Sequence, residues 1–547
     1  MKLRKSLYQP ILLLFICISC STKKDFSELV SIREFNYPVL KGKKDNPLVR
    51  IDIVNDSTLQ YFQGLQINWG ETNTDYLKSV HIYSSGKDSL FSTKEELGMI
   101  ESISTCSVLN GEKQLSKGNN YFWISCELAD HIDIKDFIDI SIDYVLLDGE
   151  KINVAKKTSP DKLRMGVAVR QHMQDNVHTY RIPGLATSNN GTLLAIYDVR
   201  RESGRDLQGH MDIGVSRSTD GGNTWEPMRI ALDMGEWGDL PEKFNGVSDA
   251  NILVDRNTGD IYIAGLWMHG VINSDGTWVN NLTEESKEWN HQWRNKGSQP
   301  GFGVKQTSQF LLTKSTDDGQ SWSEPINLTR MCKKEEWWLW APAPGHGITL
   351  EDGTLVFPTQ GRDEKGQAFS NITYSKDGGI TWTTSEIAYH NTTECMVVEL
   401  SDGRLMLNMR DNRNRKNKGE TNGRAIATTS DLGKTWTEHE TSHGALIEPV
   451  CMASIHKHTY TAQNGQAKSI LLFSNPNSKF NRHKQTIKVS FDEGQTWPEE
   501  YWIELDEGKG AGYSCLTSID ENTIGILYEG SQAQMTFQAI DIKNILQ

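Results

Sequence analysis

Five copies of one octapeptide constrain this chain more than any other feature. Ser218–Trp225 reads S-T-D-G-G-N-T-W, and the pattern Ser/Thr-x-Asp-x-Gly-x-Thr/Ser-Trp returns at Ser315–Trp322, Ser375–Trp382, Thr429–Trp436 and Ser490–Trp497. Start-to-start spacings are 97, 60, 54 and 61 residues, a period that marks a repeat architecture. In each copy a short Asp accepts from nearby backbone N–H groups and Gly supplies a positive φ, a pairing that suits a tight hairpin turn. The Thr/Ser and Trp at its end suit a strand whose indole packs on a neighbouring repeat. One four-stranded sheet per roughly 40–60 residues is the length of a propeller blade. A calcium loop is the rival use of D-x-G, but it needs further oxygen ligands and a bidentate Glu. Arg229, nine residues after Asp220, would repel the ion. No metal is expected at these turns.

The rest of the chain divides around the repeats. Lys2, Arg4 and Lys5 precede an apolar run, Ile11–Ile18, too short to span a bilayer and placed like the core of an export signal. Residues 1–20 are therefore expected to direct export to the periplasm or cell surface. Cys20, in C-I-S-C-S, resembles a bacterial lipoprotein processing site, although Cys17 stands where Leu is usual. Lipidation at Cys20 is favoured over an ordinary signal peptide, with the lipid as the sole membrane contact. Export permits disulfides. Of the six cysteines that remain, Cys395, Cys451 and Cys515 sit in apolar surroundings and read as buried thiols. A Cys106–Cys126 pair stays open.

Residues 21–160 carry no repeat. Alternating runs at Val49–Val54, Leu59–Ile67, Ser79–Tyr83, Tyr121–Leu128 and Asp139–Leu147, separated by turn residues, predict a small β-sandwich. Val154–Pro160 reads as a linker. Residues 161–547 then allow a little over 60 residues for each of six blades, which predicts a six-bladed β-propeller. The long first spacing hides an insertion, Trp267–Gly303, rich in Trp, Asn and Gly. A loop there would rise over one face, where propellers carry function, and its tryptophans suit sugar stacking. The formal charge of −14 excludes nucleic acid and anionic membrane surfaces as partners. An anionic ligand would have to be met by a local cluster of Arg.

Such a cluster has candidates. Thr179–Gly184 reads T-Y-R-I-P-G, an Arg in an apolar strand context where a guanidinium is costly without a partner. Arg410 ends the apolar run L-M-L-N-M-R, and Arg482 stands shortly before the fifth octapeptide. Planar guanidinium forks bind a carboxylate bidentately, which Lys cannot do. The Y-R-I-P motif about 40 residues ahead of the first of five Asp boxes resembles the bacterial exo-α-sialidases of glycoside hydrolase family 33. The resemblance covers roughly Gly166 to Gln547.

That resemblance implies a role for each candidate. Arg181, Arg410 and Arg482 would clamp the substrate carboxylate; Arg413 and Arg415, in a solvated N-R-N-R-K setting, are the weaker rivals of Arg410. Asp206, six residues after Arg200 and flanked by Gly204 and Gly209, would be the general acid/base, while Asp198 and Asp212 look structural. Its proton is needed in the first half-reaction, so its pKa should rise once substrate excludes water. Tyr513, in G-A-G-Y-S-C-L, would be the nucleophile, since a carboxylate there would be repelled by the substrate's own; Tyr-nucleophile sialidases are a known exception to the two-carboxylate rule. Glu394 would be its base, with Glu399 the alternative beside a hairpin turn. Glu529 would orient Arg181, and Asp249 would meet a sugar hydroxyl. The N-terminal sandwich resembles the extra domain of many bacterial sialidases, and carbohydrate binding or bracing are both open to it. Expected substrates are sialylated glycoproteins, glycolipids and oligosaccharides, with no cofactor, for a monomeric enzyme. A trans-sialidase would keep the same residues. A non-catalytic sialic-acid-binding propeller would need only the arginines, so Tyr513, Glu394 and Asp206 together count against it.

Overall fold

The five octapeptides fold into the same turn, each between the third and fourth strands of a sheet. In the computed structural model, which describes residues 27–56, 59–154, 162–294 and 296–546, the first hydroxyl of each copy donates to its Asp at 2.8 Å. The same carboxylate accepts the backbone N–H four residues on, at 2.9 Å from Thr224 and 2.8 Å from Thr496. Trp225 packs edge-on against Phe537 of the adjoining sheet at 5.1 Å, and Trp382 meets Tyr262 of the sheet before it. The turn thus fastens each hairpin and staples it to a neighbour.

These donors set the acid response of the fold. Hydroxyl and backbone N–H groups hold Asp317, Asp377 and Asp431 down at about 2, despite slight burial of Asp317. A carboxylate depressed on folding stabilises above its unfolded value, near 3.8, and that contribution is lost as pH falls through about 2. The difference in melting temperature between the parent and Asp317→Asn is therefore expected to be full above pH 4 and to close toward pH 2. A difference that does not change over that range would mean the turn does not depend on the ionised form.

The first unit is the expected sandwich. Asn46–Asn55, Tyr61–Asn68, Leu77–Gly86, Gly118–Leu128 and Ser141–Leu147 cover the five runs read from the sequence. Val30–Glu34, Glu96–Ile100, Cys106–Gln114 and Glu150–Asn153 were not legible. In Cys106–Gln114 the inward positions are Ser107, Leu109 and Gly111 while Val108 faces out, which hides the alternation. A five-stranded and a four-stranded sheet enclose a core in which Phe62 stacks on Phe122 at 4.2 Å beside Ile51, Ile82 and Val145. Cys106 and Cys126 stand in opposite sheets and both are free. Cys395, Cys451 and Cys515 are buried thiols.

The boundary near residue 160 is crossed by the sheets. Val39–Lys41 leaves the sandwich and pairs in parallel with Leu163–Arg170, and Phe137–Ile138 pairs antiparallel with the start of the same strand. One apolar core runs through Ile134, Ile138, Leu163 and Met165. The sandwich is thus clamped to the second unit; most of the linker read over Val154–Pro160, and Cys20 with the export segment, lie outside the described residues.

Six further sheets make up the second unit, a β-propeller. Its innermost strands include Thr179–Thr187, Val247–Val254, Thr392–Glu399, Ser454–Thr461 and Ser514–Asp520. The last sheet is closed by Leu163–Arg170 against Met535–Asp541, so strands from both ends of the propeller complete one blade. Because each sheet is an antiparallel meander, first strands begin, and second strands end, on one face of the propeller. The Asp-box turns fall on the opposite face. Function and fastening are separated by the length of a strand.

Candidate active site

The candidate residues gather where first strands begin and second strands end. Arg181, Asp249 and Glu394 lie near the starts of innermost strands, and Tyr513 immediately precedes one. Arg200 and Arg410 close second strands, Glu529 comes just after one, and Arg482 precedes a third strand. The first three share a local device. Each strand carries one extra residue against its partner, between Arg181 and Gly184, Ser248 and Asn251, and Thr392 and Cys395. A bulge of this kind re-aims side chains beside sites. Ile182 and Asp249 take positive φ there, 63° and 56°, a strained choice for the β-branched Ile182.

A cavity of about 580 Å³ opens on this face, lined by Arg181, Asp206, Asp249, Glu394, Arg410, Arg482 and Tyr513 among others. Tyr513 is its centre. The phenol is only 5% exposed; its hydroxyl donates to Glu394 and accepts from Arg410 Nη1 at 2.9 Å. Arg410 Nη1 also donates to Glu394. The guanidinium carbons of Arg181 and Arg482 each stand 5.4 Å from the Tyr513 ring centre. Burial and the Glu394 charge push the phenol well above its ordinary pKa, against Arg410 and Arg482, so the resting group is the protonated phenol.

The arginines are held from behind. Glu529, buried, accepts Arg181 Nε at 2.5 Å and the backbone N–H groups of Ile182 and Tyr513 at 2.9 Å. One carboxylate thereby fixes the cationic arm and the strand carrying the phenol together. Arg482 is held by the carbonyls of Ala511 and Val450 at 2.8 and 3.2 Å. Nη1 of Arg181 and Nη2 of Arg410 have no protein acceptor among the described residues. Three guanidinium groups around a phenol and two carboxylates make a receptor for one further carboxylate.

Asp206 stands apart from Tyr513 on the loop after strand Leu193–Arg200. It is 41% exposed and paired with Arg200 at 2.7 Å and His291 at 3.1 Å. Burial opposes ionisation, but the His291 hydrogen bond and the charges of Arg200 and Arg181 hold the carboxyl well below the usual range. The resting carboxyl is therefore ionised. Arg200 is in turn fixed by buried Asp198 at 2.9 Å, which also accepts Ser248 Oγ at 2.6 Å and the Asp249 N–H at 3.2 Å. Burial, with Asp198, Glu394 and Asp206 nearby, raises Asp249 well above a normal carboxylate, which favours its protonated form at the cavity.

Of the alternatives set aside, Arg415 lines the cavity, and the others lie elsewhere. Glu399 accepts the Glu351 N–H at the far end of its strand; Arg413 pairs with Asp411 and Asp212 with Arg201. His291 carries no signal in the sequence, being a lone His in a loop marked by its tryptophans. Of those, Trp267 is core, 2% exposed, which removes it from sugar stacking, whereas Trp293 lines the cavity and Trp289 donates to the Asp206 carbonyl at 3.2 Å. Away from the cavity, His210, Asp212 and Glu242 put ligand atoms within 4.8 Å of one another, but Arg201 already lies 2.6 Å from Asp212.

Comparison with known proteins agrees with this layout. A family profile described as a BNR repeat-like domain matches residues 182–518, and one described as the N-terminal domain of BNR-repeat neuraminidase matches 27–151. The chain is 41% identical to a sialidase of Bacteroides fragilis (strain YCH46) over 568 residues, covering 98% of this chain and 99% of that one. It is 31% identical to a sialidase of Clostridium perfringens over 65% of this chain and 87% of that one. A solved structure, Hadza microbial sialidase Hz136, superposes with a TM-score of 0.84 at 38% identity over 94% of this chain and 99% of that chain.

Proposed function

Since this chain belongs to the BNR-repeat sialidase (neuraminidase) family, we propose that it is an exported exo-α-sialidase that removes terminal sialic acid from glycans with retention of configuration. The observation that carries the mechanism is the Tyr513 hydroxyl bonded to Glu394 amid Arg181, Arg410 and Arg482.

The substrate carboxylate docks on the three guanidinium groups, which sets the anomeric carbon over the phenol. Glu394 takes the phenolic proton as the oxygen attacks, so no anion meets the substrate's own carboxylate. Asp206, protonated in the complex, gives its proton to the departing glycosidic oxygen. Docking of the carboxylate on Arg181 cancels one of the charges that depress Asp206, and exclusion of water removes a second support for its anion. Water, deprotonated by Asp206, then attacks the anomeric carbon; the bond to Tyr513 breaks and the phenol recovers its proton from Glu394. The guanidinium groups are fixed before substrate arrives, so their stabilisation of the charge-separated transition state costs little reorganisation.

Proton NMR of the full chain acting on 3′-sialyllactose tests this reading. Free sialic acid released first as the α-anomer is expected. The β-anomer as first product would refute the phenol route, and transfer to lactose or an anhydro product without free acid would assign a transferase instead.

A further inference from the structure

The cavity holds more positive charge than one carboxylate requires. Its walls carry seven cationic side chains, Arg181, Arg294, Arg362, Arg410, Arg415, Lys418 and Arg482, against three acidic ones, Asp206, Asp249 and Glu394. Three of the cations are the proposed clamp. The other four have no carboxylate within ion-pair distance among the described residues, unlike Arg200, Arg201, Arg413 and Arg424, which all do. Their protein contacts are to neutral oxygens. Arg362 donates to the carbonyls of Gly366 and Trp293, Arg415 to Asn412 at 3.3 Å and Lys418 to the Lys479 carbonyl at 2.7 Å. In a chain of net charge −14, four cavity-lining cations with no acidic partner among the described residues are conspicuous. Burial, and then the neighbouring arginine charges, lower the pKa of both Arg362 and Arg415, with Arg294 acting on each. Cations that repel one another gain from an anion placed among them.

The position of the group says which part of a substrate it meets. Arg294 comes three residues after His291, whose ring holds Asp206, and Arg362 is tied to the same segment through Trp293. A proton leaving Asp206 goes to the departing oxygen, so Arg294 and Arg362 flank the leaving group. Arg415 and Lys418 stand just beyond Arg410, which holds Tyr513.

We propose that Arg294, Arg362, Arg415 and Lys418 form a second anion subsite, which selects sialosides whose leaving group itself bears a carboxylate or a sulfate. The inference rests on the sialidase reading and adds a substrate class to it.

Three substrates read it: neutral-aglycone 3′-sialyllactose, the same trisaccharide sulfated on lactose, and disialyl-lactose, whose penultimate residue carries a carboxylate. The intact chain is expected to show at least tenfold higher kcat/KM for one or both anionic substrates than for the neutral one, about 1.4 kcal/mol. Raised salt should shrink that ratio. The carboxylate and sulfate arms tell which anion is read. Arg415→Ala with Arg294→Ala should bring the ratio toward one, and Arg415→Glu should bring it below one; both positions are exposed, so folding is not at stake. Equal losses on all three substrates would mean the cluster only steers anions in general and would overturn the inference. So would an intact chain that prefers the neutral substrate. Failure of the intact chain to cleave any of the three would sink the sialidase reading as well, which separates the two failures.

Discussion

Tyr513→Phe is expected to lower kcat by about a thousandfold or more, equivalent to about 4 kcal/mol of transition-state stabilisation, while leaving the fold and sialoside binding intact. The change removes one oxygen atom. It takes away the attacking atom, the hydrogen bond accepted by Glu394 and the acceptor for Arg410 Nη1, but the ring that fills the floor beside Cys451 and Ile182 remains. The three guanidinium groups stay anchored by Glu529, Glu394 and the carbonyls of Ala511 and Val450. Initial rates on an aryl sialoside, together with the affinity for a non-hydrolysed sialoside, separate loss of chemistry from loss of binding. Turnover within tenfold of the parent would remove the phenol from the mechanism.

Asp206→Asn is expected to cost about a hundred- to ten-thousandfold on a glycan substrate, the usual worth of a positioned acid/base group. With an aryl leaving group that needs no protonation, the first step should survive. The second still lacks its base, so a burst of phenol release and then slow turnover is expected, and stopped-flow absorbance would show it. Loss of the same size on both substrates, without a burst, would argue that Asp206 only holds the site together. The pH profiles of the parent carry a related expectation. His291, Arg200 and Arg181 hold the free carboxyl low, whereas the complex must protonate it. The alkaline limb of kcat should therefore lie at higher pH than that of kcat/KM, which reports the free enzyme.

The repeats made the architecture legible because their turn is self-contained: Asp, Gly and hydroxyl satisfy one another within eight residues. The site was legible through charges out of place, an Arg before Pro at 181 and an Arg ending an apolar strand at 410. Both mark cations that need a carboxylate: Arg181 finds Glu529, 348 residues on, and Arg410 finds Glu394, 16 residues back on the paired strand. The structure brings together all nine candidates from the propeller, with Arg200 and Glu529 behind the cavity wall. His291 stayed hidden because its partner Asp206 is 85 residues away and nothing in its own neighbourhood asks for an acid. The strands Val39–Lys41 and Phe137–Ile138 stayed hidden for a related reason. They are short, and the strand they pair with belongs to the other unit.

The blade that joins Leu163–Arg170 to Met535–Asp541 also fixes when the enzyme can come into being. Val167 pairs with Lys41 on one side and Phe537 on the other, so a ribosome must deliver more than three hundred further residues before the second edge of the propeller's first strand is covered. Until then the chain is an open string of blades, and the side of Leu163–Arg170 turned away from Val39–Lys41 is an uncovered edge, the kind of surface on which strands from other chains add. The catalytic cavity of such a chain is assembled in a single late act. A nick or stop codon that removes only the last strand would leave every residue of the catalytic cavity in the polypeptide and still withhold the ring that gathers them.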